Sequence, residues 1–252
     1  VFTGTNWKGI DIQTAGSTIK YARINGSTSG DYSVKIKGSE VSNSRIYDSK
    51  GVYITANSTF NKNKVHNITK SSYSFSMVKG NGTAGIDTST AYGNEFYNSP
   101  AGSYIIYIDA PMDQDTSSYP FAFRNNSISA PDSANAVILR GKAMFEKNTI
   151  TQLVNSSNTT SSTGLHLPRN YYNNTKASHA VVRYNVIRDF DTNVLVSGAL
   201  TTLSNNNFMG ALDVSSQKNI NVQDDGFVSN QVAIDMQSNY WGNVPASDIP
   251  NS

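Results

Sequence analysis

The chain of 252 residues contains no cysteine, and only 15% of its residues are charged. Without cysteine it has neither a disulfide framework nor thiolate metal sites. No apolar run approaches the length of a membrane span, and no long stretch has helical periodicity. The net charge is only +2, and no basic run accompanies an aromatic platform, which argues against a nucleic-acid partner. These absences exclude several classes of protein and leave a polar chain with short β-branched runs.

What recurs instead is a short phrase in which Asn or another small polar residue precedes any residue and then a large apolar one. Successive apolar residues of this phrase lie 19 to 37 residues apart. They are Ile24, Ile46, Val65, Phe96, Ile128, Ile150, Ile187, Phe208 and Trp241. A unit of about 20–22 residues, lengthened in places, is typical of a β-solenoid. We therefore predict an all-β fold, a single-stranded right-handed parallel β-helix of about 9–11 rungs with inserted loops.

A second alternating strand follows the phrase in each unit and supplies the register. Its aligned triplets are Val52-Tyr53-Ile54, Phe75-Ser76-Met77, Ile106-Tyr107-Ile108, Val137-Ile138-Leu139, Leu165-His166-Leu167 and Val194-Leu195-Val196. Neighbouring side chains of a strand point to opposite faces. The outer two residues of each triplet are apolar and are predicted to face the interior, and the middle residue to face outward. The recurrent Asn is assigned to turn ladders between rungs, because its side chain bonds to backbone and it tolerates left-handed geometry.

The opening stretch from Trp7 to Ile24 and the closing Ser238-Asn-Tyr-Trp-Gly242 resemble rungs of the right-handed parallel β-helix proteins of the pectin-lyase-like superfamily, in particular its secreted and surface-attached members. The resemblance implies the fold and an extracellular or cell-surface location. It does not imply one function, since the superfamily contains lyases, hydrolases, adhesins and phage spikes.

The whole chain, residues 1–252, is interpreted as one domain, because a solenoid grows by adding rungs. The sequence begins at Val1 almost directly in a rung, and a solenoid end needs a cap. We therefore expect a fragment of a larger surface or secreted protein, and a monomer.

The outward file of middle residues is unusually large and apolar for a soluble rod. Its aromatic members Tyr53, Tyr107 and His166 predict a flat platform on which sugar rings can stack. Two insertions carry further aromatic residues, at residues 109–123 and 168–176. Long loops on a rigid scaffold are common carriers of function. Their candidate binding residues are Tyr119, Phe121, Phe123, Tyr171 and Tyr172. The two insertions either cover this outward file or leave beside it a groove lined by aromatic residues.

Catalytic signals are weaker. Asp109, Asp113 and Asp115 lie in one insertion and could hold Ca²⁺ through oxygen ligands, although their spacing matches no tight calcium loop. No other cofactor is indicated, and the chain lacks the Asp and His series that polygalacturonase-type relatives use. The segment Arg188-Asp-Phe-Asp191 and the basic residues Arg140, Lys142 and Lys147 would form a lyase constellation only if the fold stacked them.

Three functions remain open. The sequence favours a non-catalytic adhesin-like module that binds a polymeric or insoluble polysaccharide, such as cellulose, through the outward file and the aromatic loops. The alternative is a polysaccharide lyase or glycoside hydrolase acting on a uronate-type polymer. The third is a structural spacer without a ligand.

Overall fold

The computed structural model describes residues 1–69, 72–80, 87–99, 104–111, 119–131, 134–153, 162–168, 178–197, 199–210, 218–223 and 234–241. These residues form β-strands and the turns between them. No helix among them is long and apolar enough to cross a membrane.

The strands are short, three to six residues each. In chain order they are β1 (Ile10–Ile12), β2 (Thr18–Lys20), β3 (Arg23–Asn25), β4 (Tyr32–Lys37), β5 (Glu40–Ser42), β6 (Arg45–Ser49), β7 (Gly51–Thr55), β8 (Thr59–Asn61), β9 (Lys64–Ile68), β10 (Phe75–Val78), β11 (Ser89–Tyr92), β12 (Glu95–Tyr97), β13 (Ile106–Asp109), β14 (Phe121–Arg124), β15 (Ser127–Ala130), β16 (Val137–Arg140), β17 (Ala143–Glu146), β18 (Thr149–Gln152), β19 (Thr163–Pro168), β20 (Ser178–Arg183), β21 (Val186–Arg188), β22 (Thr192–Ser197), β23 (Ala199–Ser204), β24 (Asn207–Met209), β25 (Lys218–Gln223) and β26 (Ile234–Gln237).

Every third strand joins the same sheet. Sheet 1 has the order β1-β4-β7-β10-β13-β16-β19-β22-β25, sheet 2 runs from β2 to β26 in the same steps, and sheet 3 runs from β3 to β24. All strand pairs are parallel, as in β10 with β13, where Ser76 is opposite Tyr107. The chain is a right-handed parallel β-helix, as predicted. Three consecutive strands make one rung, so that rung 1 is β1–β3 and rung 8 is β22–β24, and β25 and β26 begin a ninth.

The interior is a set of apolar files that run along the helix axis. The outer two residues of the aligned triplets are fully buried, which confirms their predicted inward direction; they are Val52, Ile54, Phe75, Met77, Ile106, Ile108, Val137, Leu139, Leu165, Leu167, Val194 and Val196. Phenylalanine rings fill the middle of the core, and the rings of Phe123 and Phe145 stack with centroids 5.4 Å apart. Because each rung covers the one before, a short strand buries a large apolar side chain without a second layer of structure.

The asparagine residues form a buried ladder at the corner between sheets 2 and 3. The backbone N–H of Asn94 donates to Oδ1 of Asn126 at 2.9 Å, and Nδ2 of Asn94 donates to the same oxygen at 2.9 Å. Nδ2 of Asn126 in turn donates to the carbonyl of Ala91 at 3.1 Å. The same pattern repeats along the ladder residues Asn63, Asn94, Asn126, Asn148, Asn185, Asn206 and Asn239. The predicted turn ladder is confirmed.

The left-handed residue at this corner is not the ladder asparagine but its predecessor. Lys62, Lys147 and Tyr184 have φ values of 54°, 57° and 58°, although such backbone is unfavourable for a side chain larger than that of Asn or Gly. Asn43, Asn125 and Asn205 occupy the same position in other rungs, with φ between 51° and 55°. The tight corner therefore demands the geometry whichever residue stands there.

Candidate functional site

The outward file of sheet 1 is present in the predicted register. Its members, from rung 1 to rung 9, are Asp11, Lys35, Tyr53, Ser76, Tyr107, Ile138, His166, Leu195 and Asn221. Adjacent strands of a sheet are about 4.8 Å apart, so the file is a straight column of closely spaced side chains. Alignment of the sequence therefore placed Tyr53, Tyr107 and His166 correctly in one column.

The exposed aromatic surface of the outward file is less continuous than the sequence indicates. Tyr53, Tyr107 and His166 are half-buried, whereas Ser76 is 1% and Ile138 is 5% exposed. The sequence left open whether the outward file is exposed or covered, and at Ile138 it is covered. Something on the outer face covers this part of sheet 1, and the exposed aromatic surface is divided into separate pieces.

A second column of tyrosines lies beside the first. Tyr32, Tyr73 and Tyr104 each stand two residues before the first inward residue of a sheet 1 triplet and are half-buried. In β4 both Ser33 and Val34 are fully buried, and the register with β7 shifts at this point. Two consecutive buried residues reverse the usual alternation. This bulge turns the tyrosine before them to the outer face.

The two columns combine into two tyrosine pairs. The rings of Tyr32 and Tyr53 have centroids 5.0 Å apart at an angle of 49°. The rings of Tyr73 and Tyr107 are stacked, with centroids 4.5 Å apart at 22°. We call these four residues the tyrosine face. Each ring is held by another ring, so the face is rigid and loses little conformational freedom when a ligand binds.

A cation accompanies each tyrosine pair. Nζ of Lys35 lies 5.9 Å from the centroid of the Tyr53 ring. Cζ of Arg140 lies 5.5 Å from the centroid of the Tyr107 ring, and its Nη1 donates to the Tyr107 hydroxyl at 3.3 Å. Cation–π contacts of this kind orient the ring as well as the charge. Each half of the face therefore presents an aromatic surface beside a positive charge.

Asp109 is the acidic residue of this region. Its side chain is opposite Arg140 in the register and only 8% exposed. Burial raises the pKa of the Asp109 carboxyl, while Lys79 and Arg140 oppose the rise. Asp113 and Asp115, predicted as its calcium-binding partners, lie outside the described residues. Among the described residues there is no group of three or more His, Cys, Asp or Glu side chains that could hold a metal ion.

His166 joins three rungs through its ring. Nδ1 is 2.7 Å from the Tyr104 hydroxyl, and Nε2 is 2.9 Å from Oγ of Ser197. Because Tyr104 reaches a residue two strands away, its side chain crosses the strand that carries Ile138, which accounts for the burial of Ile138. Burial lowers the pKa of His166 to about 4, with a contribution from Arg140, and raises the pKa of Tyr104 to about 12. Both ring nitrogens are occupied, so His166 supports the surface rather than presenting a free nitrogen to a ligand.

The aromatic residues assigned to the first insertion divide between core and surface. Phe121 and Phe123 belong to β14 and are fully buried, so their assignment to a binding loop is wrong. Alternation within the strand directs both rings into the core, where Phe123 packs on Phe145. Tyr119 is half-buried, and its hydroxyl is close enough to raise the pKa of Arg183 on sheet 2. Tyr171 and Tyr172 lie outside the described residues.

The charged residues of the possible lyase constellation are on different faces. Arg140 is in sheet 1, whereas Arg188 is in sheet 3 and pairs with Asp189 at 3.6 Å. Lys147 stands at the corner between sheets 2 and 3. The fold therefore does not gather these residues into one groove.

The sequence contained a signal for the residues that were missed. Tyr73 and Tyr104 stand at the same distance before two of the aligned triplets, and Tyr32 stands at that distance before Val34-Lys35-Ile36, the equivalent segment of rung 2. Extending the alignment by two residues would have shown a tyrosine column. Its outward direction was hidden, because plain alternation would have placed these residues inside.

Comparison of the chain with protein-family models, with curated proteins and with solved structures found no match.

Proposed function

We propose that the chain is a non-catalytic polysaccharide-binding module of a surface or secreted protein, with the tyrosine face as its binding site. The proposal rests on one observation: two tyrosine pairs, whose rings already pack against each other, lie on the outer surface of sheet 1. Aromatic rings stack on the apolar faces of sugar rings. A rigid rod with such rings at intervals suits a polymeric or insoluble ligand such as cellulose.

The resemblance of the terminal segments to the pectin-lyase-like superfamily supports an extracellular or cell-surface setting for this module. A monomer suits the proposal, since rungs 1 to 8 each contain all three strands from one chain. Tyr119 is not included in this site, because it lies near Arg183 of sheet 2 rather than on sheet 1.

The proposal is tested by binding to insoluble glucans. The wild-type chain and the double variant Tyr53→Ala/Tyr107→Ala are incubated with cellulose and with a panel of other insoluble polysaccharides, and the fraction that sediments is measured. Loss of two stacking rings should weaken binding by about 1–3 kcal/mol. Tyr53→Phe/Tyr107→Phe keeps the rings and should retain most of the binding.

The matched control is Tyr240→Ala, which removes a 54% exposed tyrosine far from this face. It should bind as the wild type does. Binding by the alanine double variant that equals wild-type binding would refute the tyrosine face as the site. Failure of the wild type to bind any polysaccharide in the panel would instead favour the structural spacer.

One observation favours the second candidate, a lyase or hydrolase. A carboxyl with a raised pKa beside an arginine is suited to general acid catalysis, and Asp109 opposite Arg140 has this arrangement. Uronate polymers are incubated with the wild type and with Asp109→Asn, with and without Ca²⁺, and unsaturated or reducing ends are measured. Turnover by the wild type that Asp109→Asn abolishes would replace the non-catalytic proposal.

A further inference from the structure

Basic residues collect along the corner where sheet 2 turns into sheet 3. They stand one residue before the left-handed corner residue, at it, or two residues after it, and we call them the basic ridge: Lys20, Arg23, Arg45, Lys62, Lys64, Arg124, Lys147 and Arg183. The whole chain has 20 basic and 18 acidic residues. Eight of the basic residues are on the ridge, and the remainder of the chain is acidic overall. These charges are scattered in the sequence, because ridge residues that belong to different rungs are at least 17 residues apart.

Acidic residues on the ridge are already paired. Glu40 is 3.5 Å from Lys20, and Glu95 is 2.8 Å from Lys64. Glu146 is 7% exposed and lies between two arginines, 3.0 Å from Nε of Arg124 and 2.7 Å from Nε of Arg183.

Four ridge cations form no ion pair with a described residue: Arg23, Arg45, Lys62 and Lys147. Eight cations against three carboxylates leave an excess of five positive charges, which is larger than the net charge of +2 of the whole chain. The ridge therefore has a positive field that its own acids do not cancel.

Exposed tyrosines accompany these charges. Tyr21, Tyr92 and Tyr184 are 79%, 41% and 50% exposed, and Cζ of Arg183 lies 5.8 Å from the centroid of the Tyr184 ring. They stand in rungs 1, 4 and 7, so consecutive rings are about 14 Å apart along the axis. Exposed large aromatic side chains on a charged surface are a common feature of binding sites.

We propose that the basic ridge binds a linear polyanionic polysaccharide, one that carries sulfate or carboxylate groups along an extended chain. The cations occur in six of rungs 1 to 7, with none in rung 4, and adjacent rungs are about 4.8 Å apart, so that the cations follow a line parallel to the helix axis. Such a line matches an extended polymer with charges on successive sugars. The tyrosines supply apolar surface for sugar faces at intervals. The ridge is on a different side of the helix from the tyrosine face, and this inference does not depend on the proposed function.

The spacing of the rings argues against single-stranded nucleic acid. Proteins that bind it stack successive bases on aromatic side chains within a positive groove. Tyrosines about 14 Å apart on a convex corner are too distant to stack successive bases. Tighter binding of a nucleic acid than of a polysaccharide would therefore contradict this inference.

The experiment measures the affinity of the chain for heparin, with dextran as the neutral probe and an oligo-deoxythymidine as the nucleic-acid probe, at several salt concentrations. The ridge variant is Lys62→Asn/Lys147→Asn. Asn is the native residue at this corner position in three other rungs, Asn43, Asn125 and Asn205, so the variant keeps the fold. The control Lys8→Gln/Lys37→Gln removes the same number of positive charges from exposed positions outside the ridge.

The wild type should bind heparin, with an affinity that falls as salt rises, and should not bind dextran. The ridge variant should bind heparin about fivefold to thirtyfold more weakly, and the control should bind within about twofold of the wild type. Equal weakening in both variants would show an unspecific charge effect and would overturn the inference. Absence of heparin binding, or tighter binding of the oligonucleotide at equal salt, would also overturn it.

Discussion

The asparagine corner and the tyrosine face are built on the same rungs but follow opposite rules. At the corner, one residue type recurs in rung after rung, is buried, and forms the same hydrogen bonds each time. In the outward file of sheet 1, which contributes two residues to the tyrosine face, neighbouring rungs carry Tyr53, Ser76, Tyr107 and Ile138, and their exposure differs from rung to rung. Repetition marks the part of the molecule that stabilises the helix, and departure from repetition marks the part that is free to specialise.

The largest loss of stability is expected from a substitution inside the asparagine ladder. Asn126→Ala removes the acceptor of two donors of Asn94 and the donor to the carbonyl of Ala91. Each buried group left without a partner costs about 1–3 kcal/mol, so the free energy of unfolding should fall by about 3–6 kcal/mol. Denaturant unfolding followed by circular dichroism measures the change. Ser127→Ala, at an exposed position beside the ladder, should leave stability almost unchanged.

A slightly smaller loss of stability is expected from a substitution in the apolar core beneath the tyrosine face. Phe123→Ala should lower the free energy of unfolding by about 3–5 kcal/mol, because the cavity cannot collapse between rungs. Tyr107→Ala, on the outer side of the same region, should cost far less stability and should affect polysaccharide binding instead. Thermal unfolding and sedimentation with insoluble glucan, performed on both variants, separate the two effects. A similar thermal shift for the two variants would contradict this division into scaffold and surface.

The pH dependence of stability shows whether His166 belongs to the stabilising scaffold. Its folded-state pKa of about 4 lies below the ordinary value of 6.5, so between these values the unfolded chain binds more protons. The stability due to neutral His166 is present above pH 6.5 and is lost as the pH falls towards 4. The shift corresponds to about 3 kcal/mol. Unfolding midpoints measured from pH 7 to 4 should fall less steeply for His166→Gln than for the wild type.

His179→Gln is the control for that series, because His179 is exposed. Partial desolvation and the charge of Lys142 also lower the pKa of His179, but His179 does not form the two hydrogen bonds that hold His166. The slope of the midpoint against pH should change little in this variant. Equal slopes for His166→Gln and the wild type would contradict the buried neutral state of His166.

The smallest effect is expected at the left-handed corner residue. Lys62→Asn places a residue that tolerates positive φ where φ is 54°, and should raise the free energy of unfolding by about 0.5 kcal/mol or less. Gly93→Ala, at φ 66° in the next rung, should lower it by about 1 kcal/mol. Denaturation midpoints of the two variants should move in opposite directions. Movement in the same direction would show that another interaction dominates this corner.

Much of the architecture could be predicted because solenoid positions repeat. Alternation in the triplets was sufficient to place Ile54 and Ile108 inside and Tyr53 and Tyr107 outside, and the spacing of Asn126 and Asn148 was sufficient to identify the ladder. The site was harder to predict. Phe123 belongs to a strand although it follows a long insertion, and Tyr73 points outward only because a bulge precedes the triplet. Neither the strand that contains Phe123 nor the bulge beside Tyr73 can be recognised from the repeat of the sequence.

The sequence by itself determined the rung, its inward files and the asparagine ladder, because each depends on residues that are near one another within a unit or recur at the same place in every unit. Only the tertiary structure decided which outward residues are exposed and which charges meet. Tyr104 covers Ile138 from another rung, and Lys62 and Lys147 stand on one ridge although 85 positions separate them in the chain. Coiling converts such distances into steps of about 4.8 Å, and the surface chemistry of the protein depends on those steps.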